Sequence, residues 1–180
     1  MQKGVVVWFT GLPNAGKSTT SKLVKRELEK LGTDVELLDS DEVPRTLTKD
    51  LSPDWKTRQF QKCTNLTYIA KLLLKRNVVV LIASVGRFED VRANSRAELK
   101  DFVEVYLKCP QDVRLDRDDK AKYTRHADTI YYYEDPVSPE IMIETNQCPP
   151  EAAAQKVVDY LMTHGYIGVE DQNLIGTGQI

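Results

Sequence analysis

Between the apolar run Val5-Val6-Val7-Trp8-Phe9 and a segment of helical period that begins at Lys17 lies Gly11-Leu12-Pro13-Asn14-Ala15-Gly16-Lys17-Ser18. This octapeptide constrains the chain more than any other feature. It matches G-x-x-x-x-G-K-[ST] in full, and it stands after a strand and before a helix, the context that gives the pattern its meaning. The glycines let backbone N–H groups curl around phosphate oxygens, and the helix starting near Lys17 points its positive dipole end at the same anion. Lys17 is therefore expected to bridge the β- and γ-phosphates of a nucleoside triphosphate, and Ser18 to offer its hydroxyl to Mg2+. Gly11, Asn14, Ala15, Gly16 and Thr19 complete the expected ATP loop. The bland alternative is an ordinary glycine-rich turn.

The rest of the chain continues the alternation of strand and helix that such a loop demands. Thr20, Val24, Leu28 and Leu31 recur at helical spacing up to Gly32, a helix stop. Val35–Leu38 reads as a second strand and Val78–Ile82 as a third. Between them a long helix opens at Ser52-Pro53-Asp54, with Ser52 the expected N-cap and Phe60, Cys63, Leu66, Ala70 and Leu73 its buried stripe. Phe88, Val91, Ser95 and Leu99 share a further helix face. Phe102–Leu107 and Ile141–Glu144 read as strands four and five, and Ala154, Val157, Val158 and Leu161 stripe a last helix. Parallel strands need crossover helices, so the expected fold is α/β: a P-loop NTPase-like, three-layer arrangement with a five-stranded parallel sheet and helices on both faces. Residues 116–139 break the rhythm. They are charged and carry Tyr131-Tyr132-Tyr133, which suggests a lid with the tyrosines packing its hinge. One domain, 1–167, is expected to be followed by a tail at 168–180 that has no period.

Composition supports one domain and narrows its partners. The chain has 180 residues, with 25 basic and 27 acidic side chains and a formal charge of −2. A protein held on DNA or RNA by counterion release is usually strongly basic, so nucleic acid is not expected as a partner. The longest apolar run, Val78–Ala83, falls far short of the roughly 20 residues a membrane span requires. With no evident secretory signal, a cytoplasmic location is expected. Cys63, Cys109 and Cys148 are odd in number and widely spaced, and only His126 and His164 accompany them, so no disulfide or zinc framework is readable. His126 reads as a surface lid residue and His164 as a helix-end residue.

The γ-phosphate's destination needs further residues. The Asn-Lys-x-Asp signature of guanine recognition is absent; Thr48-Lys49-Asp50-Leu51 lacks its acid. At this size, with a lid, a small-molecule kinase is the expectation. Strand two runs out in Asp39-Ser40-Asp41, followed by Arg45. Two acids at spacing two can place one carboxylate toward the Mg2+ shell and one near an acceptor hydroxyl, and a helix cap or turn is the competing reading.

These residues resemble the adenylylsulfate kinase family, P-loop enzymes that phosphorylate the 3'-hydroxyl of adenylyl sulfate (APS) with ATP. The similarity runs from about Gly4 to Ile167. It covers the Gly-Leu-x-x-Ala-Gly-Lys-Ser loop, the Asp39-Ser40-Asp41 segment, Asp101-Phe102-Val103-Glu104-Val105, Cys109-Pro110, Arg117-Asp118, and the lid positions Lys120 and Tyr123. The resemblance implies Asp41 as catalytic base or metal-shell acid and Asp39 as its support, with Arg117 and Thr145 near the adenine of ATP. Lys17, Asp39 and Asp41 thus form the expected catalytic set, and Ser18 and Asp39 the expected metal set. Arg45, Lys56, Arg58, Phe60, Arg92 and Lys120 join Asp41 on the acceptor side. A homodimer is a further implication.

The departures from the family pattern also fall on the acceptor side. Pro44 occupies the usual arginine place, with Arg45 one residue later. The family's Gly-Phe before the long helix is missing, and Lys56, Gln59 and Gln61 replace Arg, Asn and Arg. Val85-Gly86-Arg87 stands for Ile-Ser-Pro, and a Gly-Phe-Thr-Gly-Ile-Asp stretch is lost in the shorter region around Asp128–Tyr131. Arg58, Arg87, Arg92 and Lys56 could compose a rearranged anion pocket, with Trp55, Phe60 or Phe88 as base-stacking rings. Two other functions stay open: a kinase of the same fold acting on another modified nucleotide or small alcohol, and an ATP-binding regulatory protein with little transfer activity.

Overall fold

The structure is a computed structural model and describes residues 2–168. Five strands, β1 (Val5–Thr10), β2 (Val35–Asp39), β3 (Val79–Ala83), β4 (Phe102–Lys108) and β5 (Ile141–Glu144), form one sheet in the order β2-β3-β1-β4-β5. Every pairing is parallel. The helices are α1 (Lys17–Lys30), α2 (Arg45–Thr48), α3 (Trp55–Leu74), α4 (Glu89–Leu99), α5 (Gln111–Asp116), α6 (Lys122–Arg125) and α7 (Pro150–Thr163).

The apolar runs explain the layers. β1 lies at the centre and is buried along its whole length, so successive side chains feed opposite cores. Val5, Val7 and Phe9 point to the side that α1 and α7 cover, together with Val24, Leu28, Val157 and Leu161. Val6 and Trp8 point to the other side, where Cys63, Leu66 and Ala70 of α3 and Val91 of α4 meet them. Asp54, not Ser52, caps α3: its Oδ2 accepts from the Thr57 amide at 2.8 Å, and Ser52 Oγ accepts instead from the Asp54 amide at 3.2 Å. The short α2 carries no apolar period and was not expected. Among the described residues no helix is long and apolar enough to cross a membrane, and the three cysteines are unpaired. Of the expected tail, 169–180 lies outside the described residues.

The segment 117–140 contains only α6, yet it is tied to the body. Tyr133 Oη lies 2.8 Å from Thr10 Oγ1, Tyr132 packs on Trp55 and Phe88, and Tyr131 packs on Tyr123. The tyrosine run packs this segment against the body.

Candidate active site

All five strands end on the same edge of the sheet, where open parallel folds place their ligands. β1 runs into the glycine loop. Gly11 has φ 139°, and a Cβ there would meet the Leu107 carbonyl oxygen at 2.4 Å, so no other residue fits. Gly16, at φ 99°, precedes α1 without a side-chain cap, which leaves the first N–H groups of that helix to the cleft. Asn14, also left-handed at φ 64°, donates Nδ2 to the Arg114 carbonyl at 3.1 Å and to Asp118 Oδ1 at 3.0 Å. The loop is thereby joined to the root of α6. Tyr123 Oη adds a second tie, donating to the Pro13 carbonyl at 2.7 Å while Arg114 donates to it.

The cleft above this edge measures about 1050 Å³, at the top of the ~300–1,000 Å³ common for small-molecule sites. It is lined by ten basic side chains and two acidic ones, Asp39 and Asp41. Lys17 Nζ donates to the carbonyls of Gly11 at 2.8 Å and Leu12 at 2.9 Å. Burial, reinforced by the charges of Lys122 and Arg87, lowers its ammonium from 10.5 to about 7. Asp39 Oδ1 accepts from the Asp41 amide at 2.9 Å, whereas its Oδ2 is buried without any partner. Asp41 accepts from Lys122 Nζ at 3.0 Å and faces Lys49 Nζ at 3.5 Å. Partial burial works to raise its carboxyl, but these two ammoniums prevail and hold it below the usual value.

The cleft gathers most of the expected residues. Asn14, Gly16, Lys17, Ser18 and Thr19 line it beside Asp39 and Asp41, and Arg45, Arg58, Lys120, Arg117 and Thr145 line it too. Arg117 donates to the Thr145 carbonyl at 3.2 Å, so the two residues expected near the adenine touch each other. Ala15 is buried in the loop, and Gly11 contributes its carbonyl. His126 is exposed on the cleft wall, and His164 caps α7 with its ring stacked on Tyr160.

Three expected acceptor residues are elsewhere. Arg92 is 1% exposed and lies behind the sheet, donating to the carbonyls of Gly86 and Glu134 and to Glu89, with Nε 2.8 Å from Glu104 Oε1. Its guanidinium is thus engaged inside the protein and does not line the cleft. Phe60 stacks on Phe88 at 5.5 Å, away from the cleft. Lys56 reaches the outer face of the same Phe88 ring, 5.4 Å from its centroid. The reason is rotation. At about 100° per residue, Lys56 and Phe60 share a face turned toward α4, while Trp55, Arg58, Gln59 and Lys62 share the face turned to the cleft. That i, i+3, i+4, i+7 spacing was the available signal for Gln59 and Lys62, which sequence reasoning left out. Lys122, Lys49 and Arg87 also line the cleft. Arg87 donates Nη1 to the carbonyls of Thr129, Ile130 and Tyr132 at 3.2, 3.0 and 2.8 Å, tying the segment's return to β3, and burial lowers its guanidinium to about 10.

The family model for adenylylsulphate kinase matches residues 3–144. This chain belongs to the adenylylsulphate kinase family. An adenylyl-sulfate kinase of Halothermothrix orenii is 35% identical over 183 residues, spanning 97% of this chain and 98% of that one. The Mycobacterium tuberculosis APS kinase CysC, solved with AMPPNP and APS, shares the fold at a TM-score of 0.77 with 28% identity, over 89% of this chain and 99% of that one. A hexameric APS kinase from Thiobacillus denitrificans superposes with a TM-score of 0.72 and 28% identity, over 94% of this chain and 31% of that longer one.

Proposed function

We propose that this chain transfers the γ-phosphoryl group of ATP to the 3'-hydroxyl of adenylyl sulfate, yielding 3'-phosphoadenylyl sulfate and ADP. The observation that carries the reading is one cleft holding the complete glycine loop, Lys17 and both strand-end carboxylates, in a chain of the adenylylsulphate kinase family. ATP lies on the loop with its adenine between Arg117 and Thr145, and the acceptor lies between Asp41 and the inner face of α3, where Trp55 offers an aromatic platform. Residues 1–167 act as one kinase domain, with 116–139 as the lid. Self-association is part of the proposal, on the pattern of the hexameric relative.

Phosphoryl transfer asks the protein mainly to position charge. Lys17 exchanges its two loop carbonyls for phosphate oxygens. Asp41 releases Lys122 to the phosphates and turns its carboxylate to the 3'-hydroxyl, orienting it and accepting its proton as the new P–O bond forms. Lys120, Lys122 and Arg125 bring positive charge over the reacting group and keep water out. Ser18 and Asp39 suit Mg2+. Asp39 Oδ2 is a buried acceptor that nothing else uses, and together with the Ser18 hydroxyl it would hold the ion. When bound, Mg2+ neutralises charge between the terminal phosphates.

The test is ADP release by the purified protein with ATP, Mg2+ and a panel of acceptors. Turnover that depends on APS and falls by ~10²-fold or more in Asp41→Asn supports the reading. Turnover only with another nucleotide or alcohol, or ATP binding without turnover, refutes it.

A further inference from the structure

The acceptor half of the cleft holds a cation that the protein leaves without a counter-charge. Lys62, half-buried on the inner face of α3, donates to the neutral Gln59 Oε1 at 3.0 Å, and among the described residues no carboxylate lies within ion-pair distance of it. Asp41, the carboxylate whose charge it feels, is already engaged by Lys49 and Lys122. Its two cationic neighbours on that wall are in the same condition. Arg58 Nη1 donates to the Ser52 carbonyl at 3.3 Å, and Arg87 donates to three carbonyls of the lid's return.

A buried ammonium is costly unless something anionic meets it. Burial accordingly lowers the Lys62 ammonium, and Arg87 and Lys49 add repulsion. The geometry separates Lys62 from the alternatives. Lys56, six residues earlier, is on the outer face over Phe88, and Arg92 is consumed inside the fold. Arg87 spends its inward Nη1 on three backbone oxygens. Lys62 is the cation on that wall whose one hydrogen bond stays on its own helix and goes to a neutral side chain, which leaves it facing the cleft with an uncompensated charge and two free N–H donors. Its compact ammonium suits a point contact with one oxygen rather than a planar fork.

We propose that Lys62 is the specificity-determining cation of the acceptor site, donating to the anionic phosphosulfate linkage of the bound acceptor. This rests on the reading of the acceptor as APS. Trp55, seven residues earlier on the same helix face, is then placed to meet the acceptor's base while Lys62 meets its charge.

Steady-state kinetics of Lys62→Met, Lys62→Arg and Lys56→Met test it, with direct binding of APS and of adenosine to the ADP-loaded protein alongside. Lys62→Met should raise the KM for APS by about 10- to 100-fold, the size of one charge-assisted hydrogen bond, with a much smaller change in kcat. Its APS affinity should fall in parallel, while adenosine and ATP affinities and the thermal midpoint stay near wild type. Lys62→Arg should recover most of the loss, and Lys56→Met should change the KM for APS by less than about twofold. A Lys62→Met enzyme with an unchanged KM and unchanged APS affinity overturns the assignment and leaves the proposed reaction standing. So does a loss that falls equally on APS and adenosine, because that marks a structural role. Wild-type protein that binds APS without turning it over removes the proposed reaction and leaves the APS-to-adenosine ratio to judge Lys62. Wild-type protein that does not bind APS overturns both.

Discussion

Lys17 should take up a proton when ATP binds, and the size of that uptake follows from its surroundings. In the nucleotide-free protein its ammonium is lowered from 10.5 to about 7, by burial first and then by Lys122 and Arg87. Triphosphate oxygens placed beside it reverse both effects, since an opposite charge within a few ångströms favours the ionised form, and return it to at least its ordinary range. At pH 8 the free protein then carries about a tenth of a proton at this site and the complex about one, an uptake of ~0.9. At pH 6 the same subtraction gives ~0.1. Affinity must follow, with the ATP Kd rising by about fivefold from pH 7 to 8 and by nearly tenfold from 8 to 9. Calorimetric titration at pH 8, in two buffers of different ionisation enthalpy, measures the uptake directly and avoids the phosphate group's own titration near pH 6. Lys17→Arg is the control, because a guanidinium stays charged throughout and contributes no uptake. The same depression has a sign for folding. Between about pH 7 and 10.5 the unfolded chain binds more protons at this lysine than the folded chain, so the lysine's contribution to nucleotide-free stability rises with pH. Equal uptake in wild type and Lys17→Arg, or an affinity flat from pH 7 to 9, would refute the reasoning.

Asp39→Asn keeps an oxygen for the Asp41 amide but removes the charge on the unpaired side, so kcat should drop by ~10²-fold or more with an unchanged thermal midpoint, checked by activity across a Mg2+ titration. Arg92→Met leaves Glu104, itself 5% exposed at the side chain, with only a 3.4 Å contact to Arg96, and should cost about 3–5 kcal/mol in urea denaturation without altering the KM for APS. A raised KM with intact stability would return Arg92 to the acceptor site. Tyr123→Phe leaves the Pro13 carbonyl and Arg114 short of a partner, a local loss of ~1–3 kcal/mol. Faster amide exchange at Lys122, whose N–H donates to Asp118, should report it, together with weaker ATP binding.

What could be read from the residues followed the strength of the local code. The glycine loop is a backbone requirement, and Gly11 at φ 139° cannot be replaced, so sequence and geometry coincide there. The strands were legible for a similar reason: β1 and β3 are buried on both faces, and continuous Val, Leu and Ile runs signal that directly. Side-chain direction was the weak point. Arg92 looked like a free arginine because its carboxylate partner Glu104 sits twelve residues away on β4, a contact made only by the fold. The family pattern puts Lys56 on the acceptor side, and the loss of a base-stacking ring suggests Phe60 there, although helical arithmetic turns both away from Trp55 and Arg58. The segment around α6 offered no period at all; what orders it is a set of long-range bonds from Tyr123, Arg87 and Tyr133 that no window of sequence contains.

The charge pattern ties these pieces to the reaction. A chain of net −2 devotes ten basic and two acidic side chains to one cleft, so the rest of the chain carries a formal charge of about −10. A polyanionic nucleotide is thereby repelled almost everywhere except the site, which favours productive encounter over adhesion elsewhere and makes association sensitive to salt. Inside the cleft, like charge would press the cations apart, and several are held by internal partners: loop carbonyls for Lys17, Asp41 for Lys49 and Lys122, and the carbonyls of Thr129, Ile130 and Tyr132 for Arg87. Substrate binding is therefore an exchange of partners. In the proposed reaction, moving Lys122 from Asp41 to a phosphate would add positive charge where the transition state gathers negative charge and would free a carboxylate for the acceptor hydroxyl. In the proposed reaction Asp41 would become available only once ATP has claimed Lys122, and that exchange would couple activation of the acceptor to the presence of the donor.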